Sequence, residues 1–158
     1  MKGTELVAET LKREGVDTFF CFPQNTLIDA LAAAGIRPVV CRQERVGVNM
    51  ADGYSRVTRG KKIGVFVMQW GPGAENSYAG AAQAFANAIP ILLLPGGAER
   101  RRTDVEPNFW AARQFAGVTK WATTIPSADR IPHLRLGKYV RFRWGSPELA
   151  QWLARRQG

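Results

Sequence analysis

The chain has 158 residues, 46% of them hydrophobic and 10% aromatic, which suits one domain with a full core and no need of disulfides or metals. No apolar run reaches membrane-spanning length, and no signal-peptide core follows Met1-Lys2-Gly3-Thr4-Glu5, so a soluble cytoplasmic chain without membrane partners is expected. The net charge of +9 gathers at Arg100-Arg101-Arg102 and at Arg130, Arg135, Lys138, Arg141, Arg143, Arg155 and Arg156; no RNA-binding or zinc-finger pattern accompanies it, so a solvated basic surface is expected in place of a nucleic-acid site.

Leu6, Val7, Thr10 and Leu11 recur at helical spacing, and Gly15 stands where a C-terminal cap belongs. Asp17 to Phe22 is a short apolar strand stopped by Pro23. Asn25 is placed to cap a helix that turns Leu27, Ile28 and Leu31 inward and ends at Gly35. Arg37 to Arg42 reads as the second strand. The next helix, Gln43 to about Arg59, presents Gly47, Met50, Ala51, Tyr54 and Val57 as its inner stripe. Lys61 to Met68 is the third strand, Ala74 to Asn87 a helix, and Pro90 to Pro95 the fourth strand. Cys21 and Cys41 end strands with neither CxxC spacing nor a histidine pair nearby, so buried, reduced thiols are expected. From Pro95 to Val118 the chain is polar, Arg-rich and irregular, but Phe109, Trp110 and Phe115 predict that it folds over something.

Strands alternating with helices of this length make right-handed crossovers in a mostly parallel sheet covered on both faces, a three-layer α/β/α domain. Ligands of such sheets bind beyond the carboxyl ends of the strands. Glu44 and Gly71-Pro72-Gly73 both fall at such ends. Glycines there let backbone approach a flat ring, and a helix start points N–H donors at it. Each feature taken alone has a plainer reading: a first-turn Glu that complements the helix dipole, and an ordinary tight turn. Asn76 fits either a ligand contact or a helix-start hydrogen bond. Gly80, Ala81, Ala82, Ala84 and Ala86 permit close helix approach, inside the domain or between copies.

The run from Val39 to Arg56, Val-Val-Cys-Arg-Gln-Glu-Arg-Val-Gly-Val-Asn-Met-Ala-Asp-Gly-Tyr-Ser-Arg, is followed some twenty residues on by Trp70-Gly71-Pro72-Gly73-Ala74-Glu75-Asn76. Together they resemble the pyrimidine-binding domain of thiamine-diphosphate enzymes of the acetolactate synthase and benzoylformate decarboxylase kind, over about residues 2 to 124. The resemblance implies that Glu44 activates the coenzyme through the pyrimidine nitrogen N1′. It places Gly71, Pro72, Gly73, Asn76 and Pro23 on the coenzyme side, and Gln24 and Trp70 on the substrate side. It implies a decarboxylase or carboligase acting on a 2-keto acid or acyl donor, and a dimer. It also makes Thr119-Lys120-Trp121-Ala122 the opening of a further strand.

The departures from that family matter too. Gln69-Trp70 precedes the glycine where acetolactate synthases show Thr-Ser, and Gly96-Gly97 stands where they place a glutamine; both argue against acetolactate synthesis itself. The family's diphosphate-binding half, with its Gly-Asp-Gly signature and Mg²⁺, has no counterpart in these residues, so a partner carrying it is expected. Residues 1–125 therefore read as the pyrimidine-binding domain and 126–158 as a divergent basic tail, with a change of reading frame near residue 132 as its explanation. Within that tail Tyr139 to Trp144 alternates like a strand, Pro147 to Leu153 suits a short helix, and His133, the single histidine, reads as incidental. Two rival functions remain at this level: a non-catalytic interaction module that keeps the fold, and a basic anion or nucleic-acid binder.

Overall fold

Four short apolar strands, Thr18–Cys21 (β1), Arg37–Val40 (β2), Gly64–Met68 (β3) and Ile91–Pro95 (β4), pair in parallel in the order β2-β1-β3-β4. The computed structural model describes residues 2–23, 25–102 and 105–133. Parallel neighbours cannot be joined by tight turns, so helices carry the chain back. These are Gly3–Arg13 (α1), Leu27–Ala33 (α2), Glu44–Val57 (α3) and Pro72–Ala86 (α4). Cys21 stands beside Val40 and Val67, and Met68 beside Pro95, so the four strands end along one edge.

Period-two alternation sends neighbouring side chains to opposite faces. Phe19, Cys21, Val65 and Val67 pack with Ala8 and Leu11 of α1 and with Leu27 and Leu31 of α2. Phe20, Phe66 and Met68 pack with Cys41, Val48 and Ala51 on the other side, where α3 and α4 lie. The result is the expected three layers. β3 is buried at every residue and reads as a continuous apolar run, as a central parallel strand should. β2 forms an edge, which is why it tolerates Pro38 and leaves Val40 65% exposed. The chain leaves β1 in one direction through α2 and leaves β3 in the other through α4, so the crevice between those two strand ends is the topological switch point.

Gly15 and Gly35 take positive φ just past α1 and α2, as expected. Asn25 does more than cap. Its Oδ1 accepts from the Leu27 N–H at 2.9 Å, and its amide donates to the carbonyls of Met68 (2.8 Å) and Leu94 (3.2 Å), tying the loop after β1 to the ends of β3 and β4.

The inner stripe of α3 differs from the expectation at one end. Val57 is 79% exposed, and the buried face runs through Glu44, Gly47, Val48, Ala51, Asp52 and Ser55. The cause is α4, which covers a second side of α3 and draws the buried stripe toward itself. Contact between the two helices is close enough that a Cβ on Gly80 would sit 2.1 Å from a Val48 methyl. Gly80, Ala81 and Ala84 are accordingly buried within the domain, whereas Ala82 is half-buried and Ala86 exposed.

Phe115 supplies what the irregular segment folds over. It packs on Ala74 and Ala81 of α4 and meets the Tyr78 ring edge-on at 5.5 Å. A short helix, Ala111–Gln114 (α5), and a 3-10 turn, Phe115–Val118, bring it there. The strand expected to open at Thr119-Lys120-Trp121-Ala122 does not form: residues 119–126 pair with no strand, because Val118 and Ala122 join the Phe115 cluster on α4. A final 3-10 segment, Ala128–His133, returns to α1 and buries Ile131. The features anticipated at residues 139–144 and 147–153, and the explanation offered for the tail, lie outside the described residues. Cys21 and Cys41 are free and buried in clusters on opposite faces of the sheet. Among the described residues no helix is long and apolar enough to cross a membrane.

Candidate functional site

The corner that leads from β2 into α3 places Glu44. The Cys41 N–H donates to the Cys21 carbonyl at 2.9 Å, and the Cys41 thiol lies 3.2 Å from the carbonyls of Cys21 and Gln43. Burial pushes this thiol up, and the nearby Glu44 charge adds to the effect. Gln43 is fully extended (φ −162°, ψ 162°), and the helix starts at the next residue. Glu44 therefore stands on the first turn of α3, at the carboxyl edge of the sheet, and is only 4% exposed.

A second corner, from β3 into α4, meets it. Gly71 takes φ +66° and ψ −108°, a conformation that side chains disfavour. Pro72 follows at the first helical position, where its missing N–H costs nothing. The Glu75 N–H closes on the Gly71 carbonyl at 3.0 Å, and the Ser77 hydroxyl donates to the Gly73 carbonyl at 2.8 Å. Gly71 is buried, yet a Cβ built on it would meet nothing within 4 Å.

The two corners converge on one carboxyl group. A Cβ on Gly73 would lie 3.2 Å from Glu44 Oε1, and Asn76 Nδ2 donates to Glu44 Oε2 at 3.3 Å. Two helix starts thus approach the same side chain. Among the described residues no cation pairs with it.

Of the remaining sequence-predicted residues, Pro23, Trp70 and Pro72 lie at the same edge with different surroundings. Pro72 is exposed. Pro23 is also exposed, two residues before Asn25, and Gln24 lies outside the described residues. Trp70 is half-buried, and its indole N–H donates to the Phe109 carbonyl at 3.1 Å. A Cβ on Gly96 would lie 3.2 Å from the Trp70 backbone nitrogen and 3.5 Å from its Cβ. The Trp at 70 and the Gly at 96, separate oddities in the sequence, are neighbours in space. Sequence reasoning missed the strand-tying role of Asn25 and the parts played by Cys41 and Ser77 in setting the two corners. An Asn just after a strand-ending proline and just before a helix was the available signal for Asn25; nothing local marked the other two. Among the described residues no group of three or more His, Cys, Asp or Glu side chains is arranged to hold a metal ion.

Residues 1–121 match the family model described as thiamine pyrophosphate enzyme, N-terminal TPP binding domain. The chain belongs to that family. Its relatives include the acetolactate synthase large subunit of Haemophilus influenzae, 34% identical over 61% of this chain and 17% of the relative. The large subunit of Lactococcus lactis is 30% identical over 92% of this chain and 26% of its own length. Acetolactate synthase 2 of Nicotiana tabacum, a chloroplastic protein, is 32% identical over 92% of this chain and 23% of its own length. The chain thus spans about a sixth to a quarter of the curated relatives it matches. The four-stranded parallel sheet with helices on both faces is consistent with the family's fold.

Proposed function

We propose that this chain forms the pyrimidine-binding half of a thiamine-diphosphate-dependent enzyme acting on a 2-keto acid or related acyl donor. One observation carries the reading: a carboxylate buried to 4% exposure where two helix starts converge at the carboxyl edge of a parallel sheet, with no cation partner among the described residues. The residues suit a flat, nitrogen-bearing ring. Glu44 offers an acceptor oxygen, Gly73 removes the side chain that would crowd it, and the position beside Gly71 is open. Membership of the family supports the same coenzyme.

When bound, thiamine diphosphate supplies the carbon that attacks the keto group and holds the electrons left after bond cleavage. In this reading Glu44 exchanges a proton with the ring nitrogen N1′, and a positioned acid–base group of this kind contributes about 10²–10⁴ in rate. Gly71, Pro72, Gly73 and Pro23 shape the coenzyme's seat with Asn76, and Trp70 and Gln24 face the substrate. Gly96 packs against the Trp70 backbone, and the departures Gln69-Trp70 and Gly96-Gly97 support decarboxylation or carboligation other than acetolactate synthesis. The diphosphate and its Mg²⁺ fall to a separate diphosphate-binding domain, because the 158 residues contain no Gly-Asp-Gly. Residues 1–125 act as the pyrimidine-binding domain and 126–158 as a divergent basic tail, whose first segment, Ala128–His133, packs against α1. The exposed Val46, Tyr78 and Phe85 on the outer sides of α3 and α4 support a second subunit there; we place the assembly in the cytoplasm.

Reconstitution tests the reading. The chain is mixed with a diphosphate-binding subunit bearing Gly-Asp-Gly, thiamine diphosphate, Mg²⁺ and a panel of 2-keto acids, and CO₂ release is measured. Turnover is expected with the native chain and a loss of about 10²–10⁴ with Glu44→Ala. A Glu44→Ala complex as active as the native one rejects the assignment.

A further inference from the structure

We infer that Asn76 is a positioning residue for Glu44: its amide anchors Oε2 and leaves Oε1 as the oxygen that exchanges a proton with the pyrimidine. The inference rests on the function just proposed and assigns different work to the two oxygens of one carboxyl group.

A free carboxylate is symmetric, and rotation about its last bond exchanges its oxygens. Here the surroundings break the symmetry. Asn76 Nδ2 stands 3.3 Å from Oε2, and an amide nitrogen can only donate. An oxygen that accepts this hydrogen bond favours its unprotonated form, so a proton arriving at the carboxyl group goes to Oε1. That oxygen faces Gly73, at 3.2 Å from the position its Cβ would take, and Gly71 two residues earlier borders open space. The missing side chain at Gly73 therefore leaves one oxygen uncrowded while the asparagine occupies the other.

Asn76 suits this work for a second reason. It is a neutral donor, so it orients the carboxylate without cancelling the charge, which an Arg or Lys at the same place would do. Its own position is set by the first turns of α4, where the Glu75 N–H and the Ser77 hydroxyl close on the carbonyls of Gly71 and Gly73. The exchange itself is a simple proton transfer: the O–H bond at Oε1 breaks as an N–H bond forms at the ring nitrogen, and reverses. No oxidant or second reactant takes part.

Asn76 is exposed, so its replacement leaves the core intact. The test uses the 158-residue chain and 4-amino-2-methylpyrimidine labelled with ¹⁵N in the ring, followed by NMR at millimolar concentration. On binding to the native chain the ring-nitrogen signal is expected to move upfield, as a shared proton requires. Asn76→Ala should weaken binding about three- to tenfold, the scale of one ordinary net hydrogen bond, and shrink the upfield displacement. Asn76→Asp, which puts a second carboxylate against Oε2, should weaken binding further. Asn49→Ala, an exposed amide on α3 near Gly80, should match the native chain. If Asn76→Ala also matches it while Glu44→Gln abolishes the displacement, the role given to Asn76 is wrong and the proposed function stands. A displacement that survives Glu44→Gln, or a native chain that leaves the probe untouched, overturns both.

Discussion

The two ends of α3 are built to opposite rules. At its last turns Tyr54, Ser55 and Thr58 each have matched partners, although one buried Asp52 oxygen has none among the described residues. The Ser55 hydroxyl donates to the Pro90 carbonyl at 2.6 Å and accepts from the Gly64 N–H at 2.8 Å, joining the helix to the starts of β3 and β4. Tyr54 donates to Asp17 at 2.9 Å, Lys62 pairs with the same carboxylate, and Thr58 reaches the carbonyls of Tyr54 and Lys62. The Lys62 ammonium, with Tyr54, holds the Asp17 carboxyl below its usual range. At the first turn, by contrast, a buried carboxylate receives one side-chain hydrogen bond of 3.3 Å among the described residues, and the glycine corner beside it borders open space. The closed end spends its polar groups on holding the fold. The other end leaves acceptor capacity unused, and departures from local consistency of this kind collect at functional sites.

Breaking the closed end should do the most damage. A Cβ on Gly64 would lie 2.0 Å from the Ala51 carbonyl oxygen, and backbone cannot yield as a flexible side chain can. Gly64→Ala is expected to cost about 3 kcal/mol or more in urea unfolding, or to prevent folding. Ser55→Ala comes next. It strands a buried N–H and a carbonyl, at a cost of about 1–3 kcal/mol; a change under about 0.5 kcal/mol would show that water or relaxation replaces both bonds.

An alkaline titration separates the ends in another way. Burial, helped by Cys41, pushes the Cys21 thiol from its ordinary 9.0 up to about 11. A raised value means that the thiol's contribution is complete below pH 9 and lost as the pH climbs toward 11, when only the unfolded chain can ionise freely. The urea midpoint should fall across that window, and less steeply in Cys21→Ala; equal slopes would refute the assignment. The smallest effect on stability is expected at Glu44. Glu44→Gln keeps the shape and an oxygen for Asn76, so unfolding should change by no more than about 1 kcal/mol, in either direction. A loss comparable with that of Ser55→Ala would mean that the carboxylate serves the fold, and the contrast between the two ends would disappear.

Much of this was legible in the chain because it depends on local pattern. Alternating apolar runs and helical spacings placed four strands and four helices to within a few residues, and parallel pairing followed from the lengths between them. Glu44 and Gly71-Pro72-Gly73 could be set at strand ends for the same reason. Contacts between distant segments were another matter. Val57 looked like a core position until α4 turned the buried face of α3 away from it. The strand expected from Thr119 gave way to packing beneath Phe115, a choice made by residues some forty positions apart. Trp70 and Gly96 carried no sign of lying side by side.

The sequence by itself determined the layers, the direction of the strands and the edge at which the candidate site lies, since each follows from periodicity and from the handedness of short crossovers. Only the tertiary structure decided that Asn76 reaches Glu44, that Gly73 clears its second oxygen, and that Asn25 ties three strand ends together. Those are meetings of residues 29 to 69 positions apart, and no local preference encodes which oxygen an amide will find; the packing of α4 against α3 does.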